Sequence, residues 1–151
     1  SCTASPFDDP APSVLRTSSV GGPSRPAVRP PSTRVTALDT IAHVSADLSG
    51  VGSGPLRDQH LLSGLLIAAA SAAGFNAAGT PIVRVAVSGG VSALLLLDPC
   101  HVSLHTLPDR GLVLIDILAR DPVGAAKALD VVVRRLAPTA VTSESRTRGG
   151  A

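Results

Sequence analysis

Cys100, His101 and His105 bring a thiol and two imidazoles close together, residue types that ligate zinc and that serve as nucleophile and base in covalent catalysis. On a helix the two histidines would share one face a turn apart. The β-branched composition around them and Pro108 just beyond instead make the segment a strand, where four residues span roughly 13 Å and two such histidines cannot grip one ion. No metal site is therefore expected. A strand turns His101, Ser103 and His105 to one side and Val102 and Leu104 to the other, the pattern of a sheet with one polar face. Two other arrangements fall short of known chemistry. Gly50, Gly52 and Gly54 form GxGxG rather than the GxGxxG that lets a dinucleotide approach a helix N-terminus. Ser92, in Gly-Val-Ser-Ala, lacks the second glycine of a hydrolase nucleophile elbow.

The elements that would position these residues follow from the hydrophobic period. Ala42, Val44, Ala46 and Leu48 alternate with His43, Ser45 and Asp47, which predicts a half-buried strand. After the glycine-rich turn, Leu61, Leu62, Leu65, Leu66 and Ala69 share one face of a helix over Leu56 to Ala73 that Gly74 can end. Four strands are then expected, Ile82 to Val87, Val91 to Leu97, His101 to Thr106 and Leu112 to Ala119. Asp121 and Pro122 start a second helix, Val123 to Leu136, that Pro138 stops. A short last strand fits Thr139 to Thr142. Consecutive strands with such short breaks pair antiparallel, so the expected fold is α+β: a two-layer sandwich, an antiparallel sheet with two helices on one face.

Residues 1–38 hold seven of the thirteen prolines, mixed with Ser, Gly and Arg, and read as a disordered arm; the folded domain is expected over 39–142, and 143–151 as a flexible tail. Of the formal charge of +2, the arm carries four Arg against two Asp, residues 39–138 seven basic against eight acidic groups, and the rest two Arg against one Glu. A near-neutral domain, in a chain whose entire aromatic set is Phe7 and Phe75, is a poor surface for nucleic acid. The longest apolar run, Leu61 to Ala73, is too short for a membrane span. Two cysteines, Cys2 and Cys100, make no disulfide framework, and a reducing, cytoplasmic setting is expected. The chain opens on Ser1 rather than Met, which leaves a trimmed targeting segment open.

From Gly90 to Asp109 the sequence runs GVSALLLLDPCHVSLHTLPD, and this stretch resembles the processing region of the bacterial S-adenosylmethionine decarboxylase proenzymes, whose pattern is GVSG, an apolar strand, then ESHxxxHTWPE. Gly111 to Arg120 falls in register with the family's GYAAIDxFTCG, and His43 to Leu48 resembles its opening strand, HLxAEF. The likeness extends over about a hundred residues, from His43 to Pro138.

What that resemblance implies is specific. Family members cut themselves before a serine, which becomes a pyruvoyl group; its carbonyl forms a Schiff base with the substrate amine and serves as the electron sink for decarboxylation. Cys100 stands at that serine, and Pro99 precedes the cleaved bond. His105 and Ser92 match the processing histidine and serine. Asp109 matches the carboxylate that holds the ribose hydroxyls, Asp47 the acid of the first strand, and His43 the histidine that opens it. The implied cofactor is a pyruvoyl group made from Cys100, the implied partner a small-molecule amine, and the implied pathway polyamine (spermidine) synthesis. A homodimer is expected, because two helices leave one face of a six-stranded sheet uncovered.

Three positions depart from the pattern. Arg120 replaces the catalytic cysteine that protonates the decarboxylated carbon, Ala86 replaces an aromatic that stacks on adenine, and Pro99 replaces a glutamate. A guanidinium cannot release a proton near neutrality. The departures imply weak turnover of S-adenosylmethionine, another amine such as a basic amino acid, or an uncleaved relative that acts as a regulatory partner or binding protein.

Overall fold

Strict alternation of apolar and polar residues in Ile41–Ser49 (β1) puts Ala42, Val44, Ala46 and Leu48 on the buried side of a central strand. The structure is a computed structural model and describes residues 40–150; the expected arm lies outside the described residues. After β1 come a short helix, Ser53–Arg57 (α1), and a longer one, Gln59–Ala72 (α2). The strands Ile82–Val85 (β2), Val91–Leu96 (β3), His101–Leu107 (β4) and Leu112–Ala119 (β5) follow, then helix Pro122–Leu136 (α3) and strand Ala140–Arg148 (β6). All six strands form one sheet in the order β2-β3-β4-β5-β1-β6, every neighbouring pair antiparallel. Both long helices pack on one face, α2 over β3 and α3 over β1 and β5. The α+β two-layer sandwich is thus as the sequence implies.

The core lies between the layers. Leu62, Leu65, Leu66 and Ala69 of α2 and Ala125, Ala128, Val132 and Leu136 of α3 meet Val102, Leu104, Val113, Ile115 and Ile117 of the sheet, all buried. Asp121 caps α3 by accepting bonds from the amides of Val123 and Gly124, at 2.9 and 3.0 Å. A side chain at Gly124 would stand 2.7 Å from Phe75, so the missing Cβ lets the start of α3 sit against that ring.

Two expectations need correction. The single helix from Leu56 to Ala73 is two, because Asp58 leaves helical geometry and caps α2 through the amides of His60 and Leu61. Leu56 stays buried in α1, held by Thr106, whose hydroxyl donates to the Leu56 carbonyl and accepts from the Val91 amide, both at 2.7 Å. The larger correction concerns the end of the chain. Residues 143–148, expected in a flexible tail, continue β6, which pairs with the whole of β1 from Ile41↔Arg148 to Ser49↔Ala140. Every residue of β6 is exposed, so no hydrophobic alternation announces the strand, and its backbone ladder with β1 is what forms it. Charged side chains along it suit an edge strand.

Candidate active site

The short turn between β3 and β4 holds the candidate cleavage point. Leu97 N–H donates to the Cys100 carbonyl at 2.9 Å, and the segment after α2 clamps the turn from outside, with Asp98 N–H donating to Asn76 at 2.9 Å and Ala78 N–H to Leu96 at 2.8 Å. Cys100 is half-buried and has φ +92°, a region that side-chain-bearing residues adopt only at a cost of about 1–3 kcal/mol. Asn76, Asp98, Pro99, Arg120 and Phe75 line a cavity of about 150 Å³ beside it. The structure therefore brings Pro99 and Arg120 to one cavity at one end of the sheet.

The face of the sheet opposite the helices carries the polar side chains in rows. One row runs across β4, β5, β1 and β6 as His101, Leu118, His43 and Arg146, and the next as Ser103, Asp116, Ser45 and Glu144. Asp116 joins the two rows: its Oδ1 lies 2.5 Å from His43 Nε2 and its Oδ2 lies 3.2 Å from His101 Nε2. Arg146 Nε donates to His43 Nδ1 at 3.1 Å. A guanidinium has no acceptor, so His43 Nδ1 must carry the lone pair, its proton sits on Nε2, and the neutral ring donates to Asp116. Partial burial works against ionisation of Asp116, but the hydrogen bonds it accepts from His43 and then from His101 outweigh it, and the carboxyl is held below its usual range.

A third row holds Ser92, His105, Leu114 and Asp47. His105 Nδ1 and Ser92 Oγ are 2.8 Å apart, so the two residues matched to the processing pair do meet. They meet far from Cys100. His105 is four residues along β4 from His101, roughly 13 Å of strand, so within one chain the pair does not reach the turn. Asp47, with Ser45, Ser103, His105 and Asp116, borders an open depression of about 420 Å³. Asp109 lies at the same end of the sheet as His105, in the turn Pro108–Arg110, where Arg57 binds it at 2.7 Å while also donating to the Ser88 carbonyl at 2.6 Å. The singled-out residues thus form two groups, Pro99, Cys100, Arg120 and His43 at one end, and Ser92, His105, Asp47 and Asp109 at the other.

Asp116 and Arg146 escaped the sequence reading, which places His101 on the polar face of its strand without a partner. The signal for Asp116 was present, an acid on the face of β5 away from Val113, Ile115 and Ile117. Among the described residues no group of three or more His, Cys, Asp or Glu is spaced to hold a metal ion.

The donor set at the turn fits a pyruvoyl precursor, because a thiol on a strained residue directly follows the Pro99 carbonyl that it would attack. An antiparallel sheet backed on one face by helices, with the candidate cleavage point at the β3–β4 turn, defines a two-layer α+β fold. Residues 42–149 match the sequence model of the S-adenosylmethionine decarboxylase family, and the chain belongs to that family. The S-adenosylmethionine decarboxylase proenzyme of Aquifex aeolicus is 28% identical over 108 residues, covering 71% of this chain and 79% of that protein. The arginine decarboxylase proenzyme of Hyperthermus butylicus is 33% identical over 101 residues, 64% of this chain and 69% of its own. A further S-adenosylmethionine decarboxylase proenzyme, from Thermoplasma volcanium, is 43% identical over 61 residues, 40% of this chain and about half (47%) of that protein. The crystal structure of the adenosylmethionine decarboxylase from Aquifex aeolicus superposes with a TM-score of 0.70 at 26% identity, over 75% of this chain and 93% of that one. No helix among the described residues is long and apolar enough to cross a membrane.

Proposed function

We propose that the chain cuts itself between Pro99 and Cys100 and that Cys100 becomes the pyruvoyl group of a decarboxylase in polyamine synthesis, working in the cytoplasm as a homodimer. What supports this reading is Cys100 at positive φ in a clamped turn, together with the sequence resemblance that matches it to the family's processed serine. In the first step the Cys100 thiolate forms a bond to the Pro99 carbonyl carbon, the Pro99–Cys100 C–N bond breaks, and the freed amine takes up the thiol's proton. Loss of the Cys100 Cα proton then breaks its Cβ–S bond, which leaves dehydroalanine on the second chain and a thiocarboxylate on Pro99. Water addition and loss of ammonia complete the group. Once formed, it supplies a carbonyl that condenses with a substrate amine and takes up the electron pair released with carbon dioxide.

The homodimer is supported by the distance between the Ser92–His105 pair and Cys100, which a second copy laid on the open face would bridge. That face also exposes Leu96, Leu107 and Leu114, apolar surface that the helices do not cover. S-adenosylmethionine is the leading substrate by family. A basic amino acid is the second reading, favoured by Arg120 and by the Hyperthermus relative's name. The test is a pair of variants: Cys100→Ala is expected to stay one chain and Cys100→Ser to be cut. Cleavage of Cys100→Ala would refute the assignment, and absence of cleavage in wild type and Cys100→Ser alike would favour an uncleaved regulatory partner.

A further inference from the structure

The bond from Arg146 to His43 is made by the strand that the sequence does not announce, and it begins a continuous chain of hydrogen bonds toward the cleavage turn. Arg146 Nε meets His43 Nδ1 at 3.1 Å, His43 Nε2 meets Asp116 Oδ1 at 2.5 Å, and Asp116 Oδ2 meets His101 Nε2 at 3.2 Å. His101 directly follows Cys100. The four side chains come from β6, β1, β5 and β4, so the chain of contacts crosses four neighbouring strands. His43 is buried although it lies on the open face, so its bonds are shielded from competing water.

We propose that Arg146, His43 and Asp116 are positioning residues that hold the imidazole of His101 as the base for cleavage after Pro99. The proposal rests on the self-processing reading. Each bond dictates the next. Arg146 can only donate, so His43 keeps its proton on Nε2 and gives it to Asp116. Asp116, ionised and already accepting from His43, offers its second oxygen to His101, whose Nε2 must then carry a hydrogen. With Nε2 committed, the nitrogen left to take a proton is Nδ1, the one bonded to Cγ and nearer the main chain. A carboxylate on the far nitrogen fixes the ring's tautomer and orientation, which a general base needs. In the first step Nδ1 takes the Cys100 thiol proton, and the resulting imidazolium returns it to the amine released when the Pro99–Cys100 bond breaks.

Other charged groups share this face and set its background. Glu144 stands opposite Ser45 on β6, Arg148 opposite Ile41, Asp47 is two residues beyond Ser45 on β1, and His105 lies at the other end of β4. Glu144 is the nearest alternative partner for Arg146 on its own strand, yet the bond that forms is to His43.

The test uses the full chain in two measurements. Nitrogen-15 ring spectra near neutral pH are expected to show His43 as the neutral Nε2–H tautomer, and Arg146→Met to release it into a mixture. A His43 protonated on Nδ1 in the wild type would overturn the proposal. Cleavage rate against pH is the second measurement. Asp116→Asn is expected to slow cleavage roughly tenfold or more, less than loss of a base outright. Arg146→Met, on an exposed edge strand, is expected to slow it and to displace the pH profile without lowering the melting temperature, with Arg146→Lys restoring little because it lacks the Nε–H. An unchanged rate and profile in Arg146→Met would overturn the proposal. A wild-type chain that never cleaves would refute the self-processing reading, and with it the role of His101 as base, while the ring spectra still decide whether the hydrogen-bonded chain exists.

Discussion

Ser92 and His105 face each other across β3 and β4, Oγ to Nδ1 at 2.8 Å, and the same strand that carries His105 starts at His101, roughly 13 Å nearer the cleavage turn. The pair is assembled in one chain but remote from that chain's own Cys100. The proposed homodimer would bring the pair of one copy to Cys100 of the other, and complementation tests this. His105→Ala alone is expected to fold, since the side chain points away from Val102 and Leu104, and to cleave slowly. Mixed with Cys100→Ala after joint refolding, the His105→Ala chain should regain cleavage, read as two new fragments by mass. No recovery in a mixed dimer would count against a shared site.

Substrate choice is the second prediction. Ala86 offers no platform for adenine, which removes about 1–3 kcal/mol of stacking, a factor of roughly 5 to 150 in affinity. Arg120 shares the cavity of about 150 Å³ beside Pro99 with Asp98 and Asp121, and its guanidinium, in place of a proton-donating cysteine, suits a substrate carboxylate. Carbon dioxide release should accordingly be weak from S-adenosylmethionine and is to be compared with arginine, ornithine and lysine. Efficient turnover of S-adenosylmethionine with Arg120 intact would contradict this account.

Acid should weaken the fold through Asp116. Its carboxyl titrates lower in the folded protein than in the unfolded chain, so its contribution is complete above the unfolded value of about 4 and is lost as pH falls through the folded one. The loss of stability between about pH 4 and lower pH should be shallower in Asp116→Asn, measured by urea unfolding at each pH. Equal slopes would show that the pairing contributes nothing.

Thr106→Val should destabilise more than its small change in shape suggests. The hydroxyl serves the Val91 amide and the Leu56 carbonyl at once, both at a buried position, and the valine leaves both without that partner. A loss of about 1–3 kcal/mol is expected, seen as a lowered urea midpoint with unchanged slope.

The strands whose one face is buried were legible in the sequence because burial imposes a period of two: β1, β3, β4 and β5 lie within a residue or so of their expected limits. β6 was not, because an edge strand with both faces polar has no period to read and is defined by its ladder to β1. Arg146 was lost with it. Asp58 divides the first helix by capping, a choice between two local geometries that the apolar face of Leu61, Leu62, Leu65 and Leu66 does not record. The site was legible as a set of residue types, through the resemblance around GVSALLLLDPCHVSLHTLPD. Its division into two groups at opposite ends of the sheet was not, since that depends on which strand rows share an end.

The mass spectrum of the purified wild-type protein tests the central claim most directly. Self-processing predicts two chains, one ending at Pro99 and one beginning with a pyruvoyl group in place of Cys100 that reacts with a carbonyl reagent. The Pro99 fragment, freshly made, should be heavier than a plain carboxylate by the difference between sulfur and oxygen, because the thioester's sulfur leaves with it. A single full-length mass that persists through long incubation, with no carbonyl reactivity, would contradict the account.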